Sequence, residues 1–363
     1  MLMKKYFLLV PALFFFLIIS PVQANSFFKG EVVNITQEGT EDVFGTMRMF
    51  QEFDVKIMSG DDKDKIVSIA KGDYSIVTEE QKLDIGDRVV LTNKEEGFYV
   101  VDRYRLGALA GIVCFLVAFA VIFGKGRGFM SLVGLAFSFF VILKFIVPQI
   151  LNGQNPLIVS LVGGSLISVF SIYLSHGLKK RTTLAVISTI LTFICAIGIS
   201  AFFVSWANLF GVSSEEVVFL HVGLGSVDLR GLLLGGMLIG ILGILDDVTT
   251  SQCATVEEIY KANNQTSFSK LYKQGISVGR EHMASMINTL ALAYAGVSLP
   301  LFLLFTFNDN QPLWTIINSE FIAEEIVRTV AGCCALILAV PISTILSTYF
   351  YTYKTLGALK KKI

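Results

Sequence analysis

Apolar residues in this chain fall in blocks of two kinds. After Arg105 they form runs of 18 to 25 residues with few charges, at 106–123, 129–149, 157–175, 183–204, 230–250, 283–305 and 325–349. Runs of this length cross a hydrocarbon layer of ~30 Å as helices, because backbone groups in lipid must bond within the segment. Seven transmembrane helices are therefore expected over residues 106–352, followed by a basic tail at 353–363.

Between 25 and 105 the blocks are much shorter. Alternating or brief apolar runs at Gly30 to Ile35, Glu52 to Met58, Ile66 to Ala70, Arg88 to Leu91 and Gly97 to Val101 are separated by turn signals such as Ser59-Gly60-Asp61-Asp62 and Ile85-Gly86-Asp87. Five short strands of this spacing predict a small all-β barrel of the OB or SH3-like kind. The segment holds no His, no Cys and no glycine-rich phosphate loop, so it reads as a lid, a partner-docking module or a spacer. Ahead of it, Lys4 and Lys5 precede an apolar run from Phe7 to Ile19 and a Val22-Gln23-Ala24 ending. That is the pattern of a secretory signal at 1–24, with cleavage expected after Ala24 and an uncleaved anchor helix as the alternative.

Composition narrows the class. The 363 residues are 53% apolar and only 16% charged, which excludes an ordinary soluble enzyme. With 29 basic and 29 acidic side chains there is no basic surplus for nucleic acid. The five cysteines lie in or beside apolar stretches, with no disulfide framework and no zinc spacing. No cofactor or metal is expected.

The zero net charge is unevenly divided. Residues 25–105 carry 17 acidic and 11 basic side chains. Loops after the first, third, fifth and seventh runs hold Lys125 and Arg127, Lys179 to Arg181, Lys261 to Arg280, and Lys354 to Lys362, whereas the alternate loops hold Glu215, Glu216, Asp228, Asp309, Glu320 and Glu324. The positive-inside rule then puts the basic loops and the C-terminus in the cytoplasm and the β segment outside. The loop 251–281 is long, and Thr255 with Glu258 has capping-box spacing, so a separate amphipathic helix is expected there.

Candidate chemistry sits in the last three runs, because ionisable groups at membrane depth face a bundle interior or an aqueous path. Gly236, Gly240, Gly243 and Asp247 are spaced 4, 3 and 4, one helical face narrow enough for a neighbouring helix to pack closely. Asp246 lies about 100° around the helix, outside that expected groove. Arg280 and Asn288, with Thr289 beside them, mark a face of the sixth run, and Glu325, Arg328 and Gly332 one of the seventh. An Asp247 to Arg280 pair and a Glu325 to Arg328 pair follow from this layout. Interfacial ion pairs that merely orient helices remain the alternative to a polar pathway. His176, His221 and His282 form no zinc pair, and Gly124 to Gly128 reads as a tight turn. No nucleophile and base set marks an enzyme.

These residues carry a resemblance. Gly240-Ile-Leu-Gly243-Ile-Leu-Asp246-Asp247-Val-Thr-Thr-Ser251, Gly279-Arg280-Glu-His-Met283, and Asn288 to Gly296, followed by Glu325, Arg328, Gly332 and Pro341, look like the YibE/F family. Membership implies a bacterial multispanning membrane protein and says little about activity. The layout of the last spans is also similar to SecD/SecF and RND-type membrane domains, which would map proton flow onto Asp247. The resulting expectation is a small-solute or proton-coupled permease. In it Asp247 is the coupling group, Arg280 its partner, Asn288 and Thr289 line the path, and Glu325 with Arg328 forms an outer gate. The competing expectation is a membrane scaffold whose segment 25–105 docks an extracytoplasmic protein. Membrane lipids and a second copy of the chain are the remaining partners expected in either case.

Overall fold

The structure, a computed structural model, describes residues 27–43, 46–71, 81–94, 97–212, 215–224, 227–300, 302–303 and 312–360. The expected signal sequence at 1–24 lies outside them. The chain divides into two compact units, residues 1–119 and 120–363.

The first unit contains β1 (Phe27–Val43), β2 (Thr46–Ile57), β3 (Ile66–Lys71), β4 (Arg88–Lys94) and β5 (Gly97–Arg103). They form one antiparallel half-barrel sheet in the order β3-β2-β1-β4-β5. Its core is Val32, Phe53, Val55, Ile57, Val89 and Leu91, from the alternate positions that face one side of a pleated sheet. β1 pairs with both β2 and β4 around Gly30, opposite Ile57 on one side and Val89 on the other. A side chain at Gly30 would run into Val55 and Leu91, so only glycine fits this crossing point. The buried Gln51 amide bonds both backbone groups of Leu83: Nε2 donates to Leu83 O at 3.1 Å and Oε1 accepts from Leu83 N at 2.8 Å.

The helices follow from α1 (Leu106–Val141), through a π-helical turn (Ile142–Ile146) into α2 (Val147–Leu151), then α3 (Pro156–His176) and α4 (Lys180–Trp206). Beyond these come α5 (Glu215–Leu224), α6 (Leu229–Ala262), α7 (Phe268–Val297), α8 (Leu313–Asn318) and α9 (Glu320–Lys360). Among the described residues, five helical stretches are long and apolar enough to cross a membrane: Leu106–Leu151, Pro156–His176, Lys180–Trp206, Leu229–Ala262 and Glu320–Tyr353.

The difference from seven has two physical sources. The first two expected spans run together as α1, but the helix is broken at Lys125, whose φ of 50° and ψ of −139° are not helical. A side chain on Gly128 would collide with the Ala120 carbonyl oxygen. Eight residues of straight helix would separate those positions by ~12 Å, so the chain turns sharply within Gly124 to Gly128. The sixth expected span is the C-terminal part of α7, a helix that starts at Phe268 in polar sequence and is not among the five apolar stretches.

The loop 251–281 is also built differently from expectation. Thr255 does not start a helix; its Oγ1 donates to Ser251 O at 2.9 Å inside α6, which continues to Ala262. A Thr hydroxyl can bond back to the preceding turn as readily as it caps, so capping-box spacing alone does not fix a helix start. The basic tail likewise begins as helix, since α9 runs through Lys360.

Local sequence sets the helix ends that position the site. Asn155 caps α3, its Oδ1 accepting from Leu157 N at 3.0 Å and Ile158 N at 3.2 Å, with Pro156 at the first turn. Gly177 closes the helix at φ 76°. Asp228 caps α6 by accepting from Gly231 N at 2.9 Å. In the second unit, Leu238, Ile241, Leu245 and Val248 of α6 are buried with Phe193 and Ala196 of α4, Val159 and Ile167 of α3, and Ala335, Leu336 and Ala339 of α9.

Candidate functional site

The α6 helix is held by polar contacts as well as apolar ones. Thr189 and Thr249 hydroxyls lie 2.6 Å apart in the buried α4 contact. Gln252 Nε2 donates to Gly275 O of α7 at 2.8 Å and to Thr344 Oγ1 of α9 at 2.7 Å. These contacts fix which face of α6 points where. Asp246 consequently turns toward α3, and Ser168 Oγ donates to its Oδ1 at 2.7 Å. Asp247 is exposed on the adjoining face.

Both aspartates line one cleft of about 750 Å³ between α1, the π-helical turn, α3 and α6. Its polar lining comes from Arg127, Ser131 and Ser138 on α1, Ser171, Ser175 and His176 on α3, and Thr250 on α6. A smaller pocket of about 200 Å³ joins Asp247, His176 and Thr250 to Arg181 and Thr182 of α4. Ile142 of the π-helical turn also borders the cleft, and such turns recur at functional sites. Two carboxylates, an imidazole and a guanidinium in one partly enclosed cleft are groups that can hold and hand over a proton.

The expected seam of the last three spans is arranged differently. Arg280, Asn288 and Thr289 are exposed on α7 and are not in the cleft lining, and among the described residues no ion pair joins Arg280 to Asp247. The reason is rotational: α7 docks where Gly275 and Gly279 meet Val256, Gln252, Thr344 and Val340, well around α6 from Asp247. Glu325 and Arg328 do pair, with Nη1 to Oε1 at 3.0 Å. The glycine stripe packs only in part. Gly240 abuts the Tyr294 hydroxyl and Gly332 meets Leu290, whereas Gly236 and Gly243 have no neighbour within 4 Å of a would-be side chain. The close approach is made instead at Gly231 and Gly235, where Pro156 and Ser160 of α3 lie against α6.

Asp246, Ser168 and His176 are the members that sequence reasoning passed over. Their signal was present as a serine face: Ser168, Ser171 and Ser175 are spaced 3 and 4, and Ser131 and Ser138 lie 7 apart. A model of YibE/F-like proteins matches residues 112–353, which include every group lining the cleft. The chain belongs to the YibE/F-like family. The match covers about two thirds of the chain and excludes the β sheet, so the family region is the helical part. Family membership and the five apolar helices together make this a membrane protein. No curated protein and no solved structure matches the chain.

Proposed function

We propose that this YibE/F-like protein is a proton-coupled permease of the bacterial cell membrane, with the Asp246 and Asp247 cleft as its coupling site. The observation that carries the reading is the cleft itself. Asp246 is hydrogen-bonded by Ser168 and shares a cleft of about 750 Å³ with Asp247 and His176, within helices of membrane-spanning length. A carboxylate at membrane depth is costly and so marks a candidate functional position, and alternate protonation would bias one conformation over another. The coupling role expected for Asp247 thus extends to Asp246, while Arg280 has no part in it. The charge pattern supports a cytoplasmic C-terminus and an extracytoplasmic β sheet behind a cleaved signal. The break at Lys125 and the apolar half of α7 support seven crossings, and the strand order β3-β2-β1-β4-β5 supports an OB-type barrel.

The test is proton flux in proteoliposomes under an imposed pH gradient, read by an internal pH dye. Asp246→Asn should abolish the flux, Asp247→Asn should reduce it, and Arg280→Gln should leave it near wild type. Wild-type flux in both aspartate variants would refute the reading.

One observation favours the scaffold alternative. The sheet exposes Phe27, Ile66 and Val101, and the turn before β4 exposes Ile85, apolar groups that a docked protein would cover. Deleting 27–103 separates the two, since a permease should retain flux and a scaffold should lose its phenotype entirely.

A further inference from the structure

A second built site lies at the other end of α6, around Glu320. The segment after α4 turns at Asn208 (φ 51°) and Gly211 (φ 85°), and three consecutive backbone N–H groups converge there. Glu320 Oε1 accepts from all of them: Phe210 N at 2.7 Å, Gly211 N at 3.0 Å and Val212 N at 3.3 Å. Converging main-chain donors of this kind form anion-binding nests. A side chain at Gly211 would strike the Leu229 carbonyl, so the tight turn depends on glycine. Arg230 Nε donates to Leu209 O at 3.1 Å, which fixes the carbonyl side of the turn and leaves a guanidinium beside it. Glu320 also stands in the first turn of α9, where the helix dipole favours negative charge.

Glu320, which fills the nest, also lines an open pocket of about 690 Å³ whose other walls include Asn208, Leu209, Trp314, Ile317, Asn318 and Ala323. Apolar walls around a point of anion recognition are the features of a small-molecule pocket. We propose that the nest and cavity bind an organic carboxylate with an apolar body, Glu320 being the chain's own occupant that an external carboxylate displaces. The site is separate from the aspartate cleft, because Leu229 and Asp246 lie ~25 Å apart along α6, and the inference stands whether or not the chain transports protons.

Trp206 and Trp314 are the two tryptophans of the chain. In a Trp206→Phe background of the full-length protein, Trp314 fluorescence reports on the cavity, with benzoate as the probe and benzamide as the uncharged control. Removing the internal competitor with Glu320→Ala should tighten benzoate binding about tenfold, since a tethered carboxylate competes at an effective concentration near millimolar. Glu320→Gln keeps an oxygen in the nest and should bind benzoate more weakly than Glu320→Ala. Benzamide should elicit no saturable response in any variant. If Glu320→Ala lowers the melting temperature, benzoate should restore it and benzamide should not. The absence of a benzoate-specific response in Glu320→Ala, equal responses in the two variants, or a failure of benzoate to rescue a destabilised variant would each overturn the proposal.

Discussion

Ser168 Oγ and Asp246 Oδ1 are 2.7 Å apart, a contact that ties α3 to α6 across 78 positions of sequence. Ser168 is 1% exposed, so its hydroxyl has no easy exchange with water. A hydrogen bond to a carboxylate is worth more than one between neutral groups, and truncating either partner leaves the other short of one. Ser168→Ala and Asp246→Ala are expected to destabilise the protein by about 1–3 kcal/mol each, with the double variant less than the sum. Asp246→Asn keeps the acceptor oxygen and should be milder. Thermal or steric-trap unfolding in detergent measures the cycle, and strict additivity would show that the two side chains do not act together.

Gln252 joins three helices through one amide. Its Nε2 reaches Gly275 O and Thr344 Oγ1, and its side chain is 3% exposed. Gln252→Leu preserves the volume and removes both bonds, an expected loss of about 1–3 kcal/mol. Gln252→Glu places an unpaired charge in the same buried position and should cost more than the leucine variant. Unfolding measurements on both variants rank them, and a glutamate variant as stable as wild type would contradict the burial described.

The sheet offers a pH prediction outside the membrane region. Asp54 on β2 accepts from Ser68 Oγ on β3 at 2.6 Å and from Asn34 Nδ2 on β1 at 3.2 Å, so first the serine and then the asparagine hold its carboxyl below the ordinary range. A folded-state pKa below the unfolded one contributes stability at pH above the unfolded value of about 4, and that contribution fades as pH falls through the folded value. Backbone hydrogen exchange in β2 and β3 should therefore speed up on acidification below pH ~4, beyond the intrinsic rate change. Asp54→Asn should remove that part of the pH dependence. Ser68→Ala should shrink it, because the folded-state pKa then lies closer to the unfolded one.

What the sequence made legible follows from the range of the interaction concerned. The five strands and the apolar helices are local patterns, and Glu325 with Arg328 is a pair within one helix, 3.0 Å apart. The turn at Gly124 to Gly128 was equally readable from its glycines. Helix phase placed Asp246 outside the groove expected for Asp247, yet the two line one cleft. It could not say which neighbour each face would meet, because that depends on how α3 and α7 dock around α6. Gly275 and Gly279 bring α7 against Gln252, while Gly231 and Gly235 admit α3. Both sets are spaced by four, as are Gly236 and Gly240, so spacing alone could not choose among them.

That choice can be tested glycine by glycine. A β-carbon at Gly279 would lie 2.5 Å from Val340 Cγ1 and 2.8 Å from Gln252 Oε1, and one at Gly275 2.9 Å from Thr344 Cγ2. These neighbours are themselves buried and packed, so they cannot yield without disturbing the α6, α7 and α9 contact. Gly279→Ala should thus destabilise by about 1–3 kcal/mol through overpacking, with Gly275→Ala in the same direction. At Gly236 and Gly243 nothing stands within 4 Å. Alanine there meets no clash, and the conformational freedom that glycine loses in a helix is worth roughly 0.5–1 kcal/mol, so these variants should be neutral or slightly more stable. A set of four single alanine variants, unfolded under one condition, reads the contrast directly. If Gly236→Ala or Gly243→Ala proved as damaging as Gly279→Ala, a partner helix would have to cover the face that carries Asp247, and the cleft would belong to a different packing of the bundle.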